Sequence, residues 1–521
     1  MGICNKVKFN KNGFCILLFV ALSAFFLLAG RKGPVLFDDS DVYMLICRHE
    51  GVMPGYPIFL LLNQAVFGKK AYLWLVIVEQ ALLAAFSIVL LEETVRRRMG
   101  LHFAEGIMFC LLALYPYTIE MPTAVMTQAV LTEGIAYSLF YIFFTVLLLA
   151  VWDKKYSWMA GAFCMTVLLA AVRSQMQMLF GVCGIVFWYL ICMRGKKAGY
   201  AERAIRFLTG IVACVAISLL GILLAAGMSR GYRTMQESNG SFSMFVKRVQ
   251  DQEAYQEALA AQEEKSREVA EQEENEKEAT EEDLVRKNFP TSQYLTLIFS
   301  KGMYEADHED ADLFQDETLK GLYLALYDVV DAKQERYVYA REGLWMWRDI
   351  VGSVGKIGRS CIFTPSEYYV EHAPEIIRSE EFGEIRYSHL QTIGLTLIKA
   401  HFGRFLYHIL MLLPQAFIST IFFQYAPLYL LCHLVTAFLY LSATALVIWG
   451  YADQRTRKEG AEMMALVLGT NVVTVLIISL VFFGQQRYLV YAFGPFYIAY
   501  YCLLRQLWCV RIREFVRRRF R

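Results

Sequence analysis

The chain has no CxxC pair, no Cys/His ligand spacing and no HExxH stretch, so no motif marks a structural zinc or a zincin-type centre. It has no Gly-rich phosphate loop and no internal repeat, which excludes a P-loop nucleotide site and a solenoid. Cysteine is nearly missing from the central polar region, where only Cys361 occurs, so an internal disulfide there is excluded. The other cysteines fall mostly in apolar runs and read as small apolar residues. Dense basic runs are also missing apart from Arg517 to Arg521, which abuts an apolar segment; nucleic acid is therefore not an expected partner. MGICNK lacks the Ser or Thr of a myristoylation signal. No small-x-small cleavage site follows FCILLFVALSAFFLLAG, so this segment is expected to persist as an uncleaved first helix.

What the chain has in abundance is apolar surface. Of its 521 residues 57% are hydrophobic, with 37 Phe and 31 Tyr, more than a water-soluble chain of this length carries. Apolar segments near 13–30, 71–92, 104–119, 132–152, 157–174, 176–193, 207–228, 428–449, 462–483 and 488–508 are long enough to span a bilayer. The expected class is an all-α, multi-pass membrane protein of about 10–11 transmembrane helices, with membrane lipids as its surroundings. A further segment, 395–424, carries Lys399, His401, Arg404, His408 and Pro414. It can span, or lie in the interface as an amphipathic helix; the basic tail favours the interface, since a single crossing would put that tail outside.

Charge orients the bundle. Lys6, Lys8 and Lys11, then Arg96-Arg97-Arg98, Lys154-Lys155 and Arg194/Lys196/Lys197 recur at alternate connections, which puts them and the N-terminus on the cytoplasmic side. Residues 31–70 and 229–394 are then extracytoplasmic. The expected divisions are a transmembrane bundle over 1–228, an extracytoplasmic helical insertion over 229–394, and an interfacial helix with further spanning helices over 395–521. Within the insertion, 251–283 is rich in Glu, Ala, Gln and Lys without Gly or Pro, as in a solvated helix or a disordered acidic run.

The first extracytoplasmic loop is the chemically loaded one. Asp38, Asp39 and Asp41 lie within four residues, just past the first apolar segment, with Tyr43 next. Carboxylates there can cap a helix leaving lipid, and Asp39 or Ser40 can N-cap a short helix over 41–48. A carboxylate at a partly desolvated face is also a good general base. Pro-Gly-Tyr-Pro then breaks the chain, and a helix too short to span runs to Gly68. Glu79 sits in an apolar run and needs a partner. Glu133 and Arg173 stand at helix ends on the loop side, and Arg487-Tyr488 opens the last helix there. Each can serve as a polar helix end or snorkelling anchor or as part of a site. His49 is an ordinary loop histidine.

DSDVY, GYPIFLLLNQAVFG and the long helix with Glu79-Gln80 together resemble the first loop of the GT-C superfamily of membrane glycosyltransferases. Protein O-mannosyltransferases and the lipid A aminoarabinose transferase are the nearest likeness. LTEGIAYSLFYIFF, GAFCMTVLLAAVRSQMQ and QQRYLVYAFGPFYIAYY fit the same picture, so that the likeness covers about 1–230 and 425–510. Where the family has a double proline this chain has PGYP, and Ser40 takes the place of its second acid. The resemblance implies a GT-C-like bundle and transfer of a sugar from a polyprenyl-phosphate donor to a lipid, glycan or protein acceptor. It implies Asp39 as general base with Asp41 as the competing assignment. Tyr43, Tyr56, Glu133, Arg173, Arg487 and Tyr488 would bind the donor. No cofactor is expected, and no motif decides for or against a divalent metal. Two other classes share the apolar bulk and the charged loop side: a polysaccharide polymerase or ligase, and a transporter or lipid flippase.

Overall fold

The computed structural model describes residues 11–37, 40–44, 53–118, 125–193, 200–237, 293–341, 346–377, 379, 382–421, 428–453, 458–481 and 489–519. Among them there is no strand, only an isolated bridge between Val35 and Ala129. Eight helices are long and apolar enough to cross a membrane. The chain is thus an all-α, multi-pass membrane protein. The acidic run 251–283 lies outside the described residues.

The N-terminal helices are α1 (Lys11–Ala29), α2 (Ser40–Met44), α3 (Gly55–Phe67), α4 (Tyr72–Met99), α5 (Phe103–Thr118), α6 (Glu133–Asp153), α7 (Tyr156–Val172), α8 (Leu179–Met193) and α9 (Tyr200–Glu237). Their apolar composition makes them helical by necessity in lipid, since every backbone N–H and C=O must then be satisfied within the segment. The most enclosed is α6, with 83% of its spanning window buried; Tyr137, Phe140, Phe143, Phe144 and Leu147 fill the centre of the bundle. By contrast α9 presents Ile205, Leu208, Val212, Leu219 and Leu223 outward, as a helix at a lipid-facing edge does.

Polar contacts define two faces. On one, Arg98 bonds the Trp152 carbonyl at 3.2 Å and pairs with Asp153 at 3.3 Å. The Trp152 indole donates to the Glu459 carbonyl at 3.2 Å, and Arg505 donates to the Gly100 carbonyl at 3.1 Å. This arginine face gathers the ends of α4 and α6, the start of α5 and the helix beginning at Glu459. On the opposite, loop face lie the turn after α1, the N-terminus of α3 and the end of α7.

Next come α10 (Gln293–Tyr304), α11 (Glu317–Ala332), α12 (Met346–His372) and α13 (Phe382–Ala400), which starts in the insertion and ends just past it, then α14 (Phe402–Ile421), α15 (Tyr429–Ala452), α16 (Glu459–Val481) and α17 (Phe493–Arg519). Helices α10 to α13 share a core of their own, including Phe299, Leu322, Leu326, Ile350, Val354, Tyr369 and Leu397.

Over the described residues 395–421 the segment is two helices broken at His401. At the loop-side end of α14, His401 contacts Asp310 at 2.8 Å and His408 pairs with the buried Glu305. At its other end the Ile421 carbonyl accepts from Tyr497 at 2.7 Å, and Thr420 meets the Tyr440 hydroxyl at 2.7 Å. Tyr440 also accepts from Asn471 at 2.8 Å, in the middle of α16. Gly450 packs against Ala461 at the arginine face, so α15 runs antiparallel to α16 and starts at the loop face. The described part of α14 therefore runs from the loop face to contacts with the middles of α15 and α16.

Lys301 joins the insertion to the bundle. Its ammonium donates to the carbonyls of Ser479 and, at 2.8 Å, Leu480, the last carbonyls of α16, which lack partners within their own helix. Burial pushes this amine down to about 7, from about 10.4 for an exposed lysine. Between those values the unfolded chain holds a proton that the folded chain has lost, so stability rises with pH from about 7 to about 10. Lys301→Met is expected to flatten that rise, raising stability near pH 7 relative to pH 10 because the lysine's deprotonation cost is gone. Thermal midpoints of both proteins across this pH range measure it.

Candidate functional site

The loop face is organised by two glutamines. Val35 exchanges backbone bonds with Gln128 and Val130, at 2.9 and 3.1 Å, tying the turn after α1 to the turn before α6. The Gln128 amide closes this strap by donating to the Gly33 carbonyl at 3.4 Å and accepting from Val125 N–H at 3.1 Å. From α4, Gln80 donates to the carbonyls of Thr127 and Ala129, both at 3.3 Å. A side chain at Gly134 would collide with the Gln80 amide, so glycine is what lets α6 begin there. Ser40 is fully buried, and its hydroxyl accepts from Phe37 N–H at 2.8 Å while its own N–H donates to Phe37 at 2.8 Å. This serine turn fixes the chain on both sides of the acidic cluster. Asp38 and Asp39 lie outside the described residues; Asp41 lies in α2, and its side chain is likewise undescribed.

Tyr43, on the next turn of α2, meets Tyr56 edge to face with ring centroids 5.5 Å apart. Tyr56 stands at the start of α3, which the Pro54 and Gly55 turn presses onto the end of α7: a Cβ on Gly55 would lie 2.7 Å from the Ala171 carbonyl. Only glycine permits that approach. Tyr56 is fully buried, and its hydroxyl has no hydrogen-bond partner among the described residues. Burial, and then the neighbouring Tyr43 and Glu133, push its phenol well above the usual range. An unmet buried hydroxyl is costly and is a natural donor to a bound polar group.

Two residues past Ala171 is Arg173, in extended backbone at the end of α7. Its guanidinium pairs with Glu133 at 2.6 Å, and the two side chains are only 7% and 5% exposed. Arg173 Nε also donates to Gln175 at 3.0 Å, and Thr132 donates to the second Glu133 oxygen at 3.0 Å. Four of the residues singled out from the sequence, Tyr43, Tyr56, Glu133 and Arg173, are thus assembled at one place on the loop face. Glu133 and Arg173 are each other's partner rather than separate helix-end anchors.

Arg487 and Tyr488 lie outside the described residues. The segment directly after them packs against α6: Tyr491 meets Tyr137, one turn past Glu133, with centroids 4.8 Å apart, and Phe140 at 5.5 Å. Glu79 takes its hydrogen bond from Asn63 of α3 at 2.9 Å, which holds α3 against α4. Among the described residues no group of three or more His, Cys, Asp or Glu could hold a metal ion.

Sequence reasoning passed over Gln128, Tyr137 and Tyr491, and used Gln80 only as the neighbour of Glu79. The signal was available for the first glutamine at least: an amide in an apolar run demands carbonyl partners. No family model, no curated protein and no solved structure matches the chain.

Proposed function

We propose that the chain is a membrane glycosyltransferase of GT-C type, moving a sugar from a polyprenyl phosphate to an acceptor at the loop face. One observation carries this reading: Tyr43, Tyr56, Glu133 and Arg173 converge at the loop face, and the Tyr56 hydroxyl there has no hydrogen-bond partner among the described residues. The arginine face would be cytoplasmic by the positive-inside rule and the loop face extracytoplasmic.

In this mechanism Asp39 takes the proton of the acceptor hydroxyl as its oxygen attacks the anomeric carbon. The bond from that carbon to the phosphate oxygen breaks, and the electron pair leaves with the phosphate. Attack from the face opposite the leaving group inverts the anomeric carbon. A departing phosphate needs charge stabilisation more than a proton. Arg173, held in orientation by Glu133 and Gln175, and Arg487 supply it, with a hydrogen bond from Tyr56. A carboxylate behind the guanidinium orients it as a supporting partner orients any reacting group.

Tyr56→Phe separates ligand binding from folding. It removes an unmet hydroxyl, so the thermal midpoint should hold or rise slightly. Donor KM should rise about tenfold, the size of one lost hydrogen bond to a charged group, about 1.5 kcal/mol. Donor titration of both purified proteins measures it; an unchanged KM removes Tyr56 from the site.

A further inference from the structure

A groove of about 390 Å³ runs between α1 and α4, lined by Cys15, Ile16, Phe19, Phe86, Val89 and Leu90 and closed at the arginine face by Glu93 and Arg97. Its volume falls within the range of about 300–1,000 Å³ that takes a small ligand. We propose that it holds one acyl chain of a membrane phospholipid whose headgroup is phosphoethanolamine. The inference is independent of the glycosyltransferase reading.

Length argues for a lipid from the leaflet at the arginine face. From Phe86 to Arg97 is eleven helical residues, about 16 Å at 1.5 Å each, or roughly half of a 30 Å hydrocarbon core. The groove is apolar over that depth and ends where headgroups begin.

Charge argues for the headgroup. Of the three consecutive arginines, Arg96 pairs with Glu92 at 2.9 Å and lies over the Phe14 and Phe103 rings at 5.1 and 5.4 Å. Arg98 turns to Trp152, Asp153 and Glu459. Arg97 alone of the three lines the groove, half exposed and paired with Glu93, which also pairs with Arg96. Among the described residues the rim therefore offers one cation beside one anion. A phosphate on Arg97 with an ammonium on Glu93 replaces that pair with two complementary ones. A purely anionic headgroup would meet the Glu93 carboxylate as a like charge.

The test is native mass spectrometry of the full chain in mild detergent, titrated with phosphatidylethanolamine and with phosphatidylglycerol. The expected result is one retained phosphatidylethanolamine per chain, bound about tenfold more tightly than phosphatidylglycerol. Ile16→Trp, which fills the groove from its lipid-exposed side, and Arg97→Gln should each weaken that binding about tenfold with thermal midpoints unchanged. Equal retention by wild type and Ile16→Trp would overturn the groove assignment, and equal binding of the two lipids would overturn the headgroup.

Discussion

Arg173→Ala should lose about 3–5 kcal/mol of stability, because it removes the cation paired with the buried Glu133 carboxylate. The pair is 2.6 Å apart and almost wholly enclosed, so water cannot take the arginine's place. The double variant Glu133→Gln/Arg173→Gln removes both charges and should recover most of that loss, since neutral replacements of a buried pair are often close to neutral in stability. The proposed mechanism adds a second expectation. Sugar transfer should be lost in Arg173→Ala and remain lost in the double variant, because the phosphate still lacks its cation. Thermal midpoints and transfer rates for the wild type, both singles and the double form a complete cycle. Return of transfer with stability would make the pair a structural staple.

Asp39→Asn should slow transfer by about 10²–10⁴-fold, the usual contribution of a general base, while the thermal midpoint and donor KM stay close to wild type. Asp41→Asn is the internal control and should keep most of the rate. The argument for Asp39 is its match to the resembled motif, with Tyr43 four residues on. Phe37 and Ser40, its described neighbours in sequence, are hydrogen-bonded to each other, and Tyr43 packs on Tyr56. If Asp41→Asn carries the loss and Asp39→Asn does not, the base is two residues further along and the rest of the site stands.

How much of this was legible depended on whether a feature is local. Apolar run length is local, and the helices fall where the runs are. The Pro-Gly-Tyr-Pro turn is local too: α3 begins at Gly55 and ends at Phe67, with Gly68 at positive φ closing it. Glu79's need for a partner followed from its apolar surroundings, although nothing local pointed to Asn63. The Glu133–Arg173 pair was not legible, because it depends on how the start of α6 stacks on the end of α7. Either residue alone looks like a helix-end anchor. The Gln128 strap is hidden for the same reason, joining turns 95 residues apart through Gly33. Along α14, His408 sits against the buried Glu305, and the polar Gln415, Ser419 and Thr420 are buried among neighbouring helices, contacts that no local pattern announces.

The central claim is tested most directly by vesicles containing only this protein and a labelled polyprenyl-phosphate sugar, with a hydroxyl acceptor on the loop-face side. The account predicts labelled glycoside with inverted anomeric configuration and free polyprenyl phosphate in equal amount, both strongly reduced in Asp39→Asn. Movement of intact lipid-linked sugar across the vesicle membrane with no glycoside formed would contradict it.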